Sequence, residues 1–153
     1  MAYVDIAYFR VMGSIPDAEL VDFVDKHPGR FEAMSEAVSR LIDSYLRKRY
    51  ATPFTDPVPE AVKFHAAQIL SYQIRIFIGF DPSSQQDGEI VRARDEAIAW
   101  LEKAANARDG LVELPLREPE PGKQDEDGVS RRRARAFSFR SPIDWHRTMR
   151  GRR

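Results

Sequence analysis

Histidines and carboxylates are the side chains through which this sequence could most readily carry out acid–base or metal chemistry. The three histidines are His27, His65 and His146, and no two of them have the one-turn spacing of a metal site on a helix. Glu36 and Asp43 lie seven residues apart and could in principle pair on one helix face for acid–base work. A solvated helix face carries its charges in the same way, and we favour that interpretation.

Other signatures of catalysis or cofactor binding are missing from the sequence. It contains no phosphate-binding glycine loop, no nucleophile elbow and no calcium loop, and we expect Asp87 to cap a helix instead. The chain also lacks cysteine, which excludes disulfides and thiolate metal sites. We therefore predict a protein that is not an enzyme and that uses no metal and no cofactor.

Targeting signals are missing as well. The first residues lack the basic and apolar regions of a signal peptide, and no stretch approaches the ~18 apolar residues that a membrane span needs. We expect a soluble, unsecreted protein without membrane contact, and the lack of cysteine fits the cytosol.

The charges are distributed unevenly along a chain whose formal net charge is zero. Residues 1–110 contain 13 Lys and Arg against 17 Asp and Glu, whereas residues 111–153 contain 11 against 7. Residues 130–153 alone hold nine arginines and a single acid, Asp144. A chain of 153 residues with 42% hydrophobic content has room for one packed core. One folded domain with a basic C-terminal arm is therefore predicted.

Apolar residues recur at helical spacing in three long stretches, which are residues 30–50, 60–80 and 89–108. The second stretch is apolar on nearly all sides, so we expect it at the centre of a bundle, with Ile69 and Phe77 in the core.

Shorter helices are predicted before the first long one. Ser14 followed by Asp17 indicates a helix start that ends near His27, and a further short helix or turn is plausible around residues 4–12. Gly110 is expected to end the last long helix.

The fold class that follows is mostly α: a small helical bundle of three long helices plus one or two short ones, with an extended C-terminal arm. Its divisions are a helical domain over residues 1–110, a charged linker rich in Pro and Gly over 111–129, and a basic aromatic arm over 130–153.

The arm has the two-residue alternation of a β-strand over residues 133–140. Two exposed phenylalanines are unfavourable on a free tail, whereas adding the segment to the sheet edge of a partner would bury them. Composition alone would instead favour a solvated tail or nucleic-acid contact. The residues that we predict to bind a partner are Arg131, Arg132, Arg133, Arg135, Phe137, Phe139, Arg140 and Trp145.

The order of these elements resembles the small head–tail connector, or head completion, proteins of Mu-like tailed phages and prophages. The matching segments are residues 3–6, 37–50, 53–59, 67–72, 97–103 and 135–138. The most specific of them is Ile42-Asp43-Ser44-Tyr45-Leu46, followed by Arg49-Tyr50. The linker at 117–129 and the basic end at 141–153 depart from the pattern that we expect for such connectors.

The resemblance implies a structural adaptor located in the virion at the head–tail interface and assembled in the host cytoplasm. Such adaptors form a homo-oligomeric ring, usually of twelve copies, that docks on the portal protein. The ring extends the channel for genomic DNA toward a downstream stopper or tail protein. The portal would then be the partner of the arm.

The principal alternative is a nucleic-acid-binding protein that uses the arginine-rich tail for phosphate contacts. The net charge of −4 over residues 1–110 argues against it, since a dedicated DNA-binding protein usually carries basic charge on its folded face too.

Overall fold

Five α-helices follow one another in the computed structural model, which describes residues 2–107, 111 and 114–117. They are α1 (Ile6–Met12), α2 (Asp17–Lys26), α3 (Arg30–Leu46), α4 (Glu60–Ile78) and α5 (Gln85–Asn106). Among the described residues the only β-structure is one isolated antiparallel bridge, between Tyr50 and Leu116. The predicted mostly α fold of three long helices with one or two short ones is therefore confirmed, while the arm lies outside the described residues. Helix α5 ends at Asn106 with Ala107 as its C-cap, so the prediction that Gly110 ends it is wrong.

Helices α4 and α5 form an antiparallel hairpin at the centre of the fold. Eight residues of α4 are buried, and they are Val62, Ala66, Ala67, Gln68, Ile69, Leu70, Ser71 and Ile74. Along the hairpin, His65 stacks on Trp100 near one end, and Arg75 pairs with Asp87 at the other. The prediction that this helix is central is confirmed.

The start of the chain lies against α3 because two serines there leave room for its backbone. The Ser35 hydroxyl donates to the carbonyl of Val4 (2.7 Å), and the Tyr3 N–H donates to the Ser39 hydroxyl (2.9 Å). The Tyr3 hydroxyl donates to Asp43 (2.5 Å), so this carboxylate does not pair with Glu36. Glu36 instead forms a helix-surface ion pair with Arg40, as expected of a solvated face, whereas Asp43 is partly buried beside Tyr3.

Two predicted helix N-caps are also wrong. Helix α2 begins at Asp17 after Pro16, which occupies the cap position that we expected Ser14 to serve. Ser14 instead joins the α1–α2 connection to α4, donating from its hydroxyl to Gln68 Oε1 and from its N–H to the Ser71 hydroxyl, both at 3.0 Å. Asp87 lies inside the first turn of α5 and its buried carboxylate binds Arg75, so it is not the cap residue either.

The folded unit continues past residue 110. Tyr50 is fully buried; its hydroxyl donates to the Ala104 carbonyl and accepts from the Leu111 N–H, both at 3.0 Å. Leu114 is buried, and the Arg117 N–H donates to the Arg49 carbonyl (2.8 Å). These contacts hold residues 111 and 114–117 against the ends of α3 and α5.

Candidate partner-binding surfaces

The residues predicted from the sequence to bind a partner all lie outside the described part of the chain. They are Arg131, Arg132, Arg133, Arg135, Phe137, Phe139, Arg140 and Trp145. Their role stays a prediction. The described residues carry two other surfaces of the kind that binds proteins, which the sequence analysis did not identify.

The first surface is the C-terminal end of α4 and the residue after its glycine cap, which we name the α4 tip. It consists of Ile76, Phe77, Ile78 and Phe80, whose side chains are 51%, 40%, 43% and 39% exposed. Large apolar residues grouped in this way on a surface typically mark an interaction site. The expectation that Phe77 is a core residue is therefore wrong.

The tip is exposed because α4 is longer than the bundle that covers it. Phe77 meets Phe23 and His27 edge to face, with ring centroids 5.7 and 4.9 Å apart, and the Arg30 guanidinium lies 4.7 Å from its ring centroid. These residues belong to the end of α2 and the start of α3, where the bundle ends on this side. Gly79 then takes a φ of 141°, which favours glycine, and ends the helix.

A buried ion cluster fixes the base of the tip. Arg75 donates from Nη1 to Glu19 on α2 (2.8 Å) and from Nε to Asp87 on α5 (2.5 Å). Asp87 is fully buried, and its second oxygen accepts the backbone N–H of Asp81 (2.7 Å). One guanidinium thus joins three helices immediately before the tip, so the tip stands on a rigid support.

The second surface lies where α1 crosses the side of α4, and we name it the α1–α4 surface. It consists of Val11, Met12 and Phe64, which are 78%, 38% and 42% exposed. The Tyr8 hydroxyl donates to Glu60 (2.6 Å), and Gln68 Nε2 donates to the Met12 carbonyl (3.2 Å). Phe64 lies one helical turn from each of these two α4 residues, so the contacts place it beside α1.

A stacked pair of rings borders the α1–α4 surface on the side of α5. The rings of His65 and Trp100 are 4.3 Å apart at 27°, and Phe64 meets the His65 ring edge to face at 5.3 Å. Burial lowers the pKa of His65, so its neutral form is favoured. On the side of α5 the border is therefore aromatic, and the neutral imidazole adds no charge to it at neutral pH.

Three titratable groups with a shifted pKa, Tyr3, Tyr8 and Asp81, take part in hydrogen bonds within the fold. Burial, followed by the hydrogen bond to Glu60, raises the pKa of Tyr8 to about 12, and burial likewise raises the pKa of Tyr3. The hydrogen bonds from Ser83 lower the pKa of the exposed Asp81 carboxyl. Within the described ranges no group of three His, Cys, Asp or Glu could hold a metal ion. None of the helices described is long and apolar enough to cross a membrane.

These observations define a small helical protein with two separate exposed apolar surfaces. Its sequence matches the family described as bacteriophage Mu, Gp36, over residues 7–132. That match covers most of the chain, including α2 to α5 and all of α1 except its first residue, and the chain belongs to this family. It is a phage protein of the structural and morphogenesis class, as the resemblance implied. Neither a curated protein nor a solved structure matches the chain.

Proposed function

We propose that the protein is a head–tail connector adaptor of a Mu-like phage. Copies of the chain form a ring that docks on the portal and extends the DNA channel toward the tail, at the head–tail interface of the virion. Membership of a phage family over residues 7–132 supports this proposal. The observation that carries it is the pair of separate apolar surfaces on one small helical domain.

A closed ring requires two different surfaces on each subunit. In a head-to-tail contact, one surface of each copy binds the other surface of the next copy. The series closes into a ring if the rotations between neighbouring copies add up to a full turn. The α4 tip and the α1–α4 surface are distinct in composition and position, as this geometry demands.

The C-terminal arm is the proposed contact to the portal. It follows Arg117, whose backbone N–H is held by the Arg49 carbonyl at the end of α3. Addition of residues 133–140 to a sheet edge of the portal would bury Phe137 and Phe139, and the surrounding arginines would accelerate the encounter.

The alternative function is nucleic-acid binding through the tail, which the nine arginines of residues 130–153 favour. Electron microscopy of the negatively stained full-length protein, alone and with the cognate portal, separates the two functions. We expect rings, or portals capped by rings. A protein that stays monomeric with the portal and binds duplex DNA with a steep salt dependence would replace the connector by the alternative.

A further inference from the structure

We infer that the α4 tip of one subunit binds the α1–α4 surface of the next copy of the same chain. The inference rests on the proposed ring and names the surfaces that build it. Its starting point is that these two groups of exposed apolar side chains, Ile76, Phe77, Ile78 and Phe80 on one side and Val11, Met12 and Phe64 on the other, occur on one chain.

The exposed area of each surface is most of the apolar area that one partner of a standard interface contributes. A fully exposed Ile or Phe side chain presents about 200 Å², so the exposed fractions of the tip correspond to roughly 350 Å² of apolar area. The α1–α4 surface presents roughly 300 Å² on the same basis. A standard interface buries about 800 Å² on each partner, of which about 57% is apolar. Each surface therefore supplies most of the apolar area of one side.

The placement of the two surfaces favours a contact between unlike surfaces. Phe64 and Phe77 are 13 positions apart on α4, which corresponds to about 20 Å along the helix axis. The α4 tip lies at the end of α4, and the α1–α4 surface lies on its side. A contact between the tip of one copy and the α1–α4 surface of the next can therefore repeat from copy to copy in one direction. A tip-to-tip contact would bury the tip and leave Val11, Met12 and Phe64 exposed on both copies.

The last described segment of the chain lies at the opposite end of α3 from the tip. The Arg117 N–H donates to the Arg49 carbonyl at that end, whereas Phe77 of the tip contacts Arg30 at the start of α3. Helix α3 has 17 residues and is about 25 Å long. Residues 114–117 therefore do not cover the tip, whose side chains are exposed on the described part of the chain.

The contact between copies is testable by crosslinking because the chain contains no cysteine. Ile78→Cys marks the tip and Met12→Cys marks the α1–α4 surface; both positions are exposed, so folding should be preserved. The full-length single and double variants are treated with a short bismaleimide, alone and in complex with the portal. The matched control combines Ile78→Cys with Leu116→Cys. Leu116 is 48% exposed, lies beside Tyr50 and belongs to neither surface.

The double variant Ile78→Cys/Met12→Cys should give a ladder of covalent multimers, while each single variant and the control stay monomeric on a denaturing gel. An equimolar mixture of the two single variants should give covalent dimers and nothing larger. Dimers from Ile78→Cys alone would overturn the inference in favour of a tip-to-tip contact. Rings on the portal without a ladder of multimers would overturn the proposed interface between copies, while the proposed connector function would stand. A ladder without portal binding would support the interface and overturn the connector.

Discussion

Arg75 and Asp87 form an ion pair in the interior of the fold, with 2.5 Å between Nε and Oδ1 and with the Asp87 side chain fully buried. The pair joins the end of α4 to the start of α5, and Glu19 extends it to α2. A buried carboxylate is tolerated only when charges and hydrogen bonds compensate its lost hydration. The Asp81 N–H provides the remaining hydrogen bond, so this acid is fully satisfied.

Removing the carboxylate should therefore destabilise the protein strongly. We expect Asp87→Ala to lower the free energy of unfolding by about 3 kcal/mol or more, because it leaves the guanidinium of Arg75 with only Glu19 in a largely buried position. Asp22→Ala is the matched control, since Asp22 pairs with Lys26 on the surface and its loss should cost less than about 1 kcal/mol. Urea denaturation measures both changes, and equal losses would contradict the structural role of the buried pair.

The second prediction compares the cost in stability of removing two side chains of α4, one buried and one exposed. Ile69 is 3% exposed, so Ile69→Ala should cost about 2–5 kcal/mol. Phe77 is 40% exposed, and Phe77→Ala should cost only about 1 kcal/mol through its contacts with Phe23 and His27. Denaturation should be measured at a protein concentration low enough to keep subunits apart. A larger loss for Phe77→Ala than for Ile69→Ala would show that the tip belongs to the core.

The sequence predicted the helices better than it predicted their surroundings. Periodic apolar spacing identified the stretches that became α3, α4 and α5, because this spacing is a local property of a helix. How far α4 is covered depends on where α2 and α3 end, and no local pattern in residues 76–80 encodes that. Arg75 and Asp87 lie on two helices with a loop between them. Because helical spacing relates only residues of one helix, it could not predict this ion pair. Ser14 has the sequence pattern of a helix N-cap, yet its hydroxyl donates a hydrogen bond to Gln68 on α4.

His65 should make stability depend on pH. Burial lowers the pKa of His65 in the folded protein below the usual 6.5, so the unfolded chain binds a proton more readily than the folded one. The contribution of His65 to the free energy of unfolding is fully present above about pH 6.5. It is lost as the pH falls through the lowered pKa of the folded state. Unfolding free energies measured from pH 7.5 to 5 should fall less steeply for His65→Gln than for the wild type. His27→Gln is the control, since His27 is exposed, and an identical slope in His65→Gln would contradict the prediction.

The last prediction concerns the arm and separates the two proposed functions. If residues 133–140 dock on the portal as an added strand, Phe137→Ala together with Phe139→Ala should abolish portal binding, because buried aromatic residues hold a large share of interface energy. The triple change of Arg131, Arg132 and Arg133 to Ala should chiefly slow association and weaken its salt dependence, because peripheral charges steer encounter more than they hold a complex. Circular dichroism should show an unchanged helical domain in both variants.

A nucleic-acid-binding tail predicts the reverse ranking of the two variants. The arginine triple would then dominate, and the phenylalanines would contribute little unless single-stranded bases stack on them. The measurement is the affinity of each variant for the portal and for duplex DNA at two salt concentrations. Full portal affinity in the variant lacking Phe137 and Phe139, together with loss of DNA binding in the arginine variant, would falsify docking of the arm on the portal. Because both variants keep the α4 tip intact, this result would be independent of how the copies contact one another.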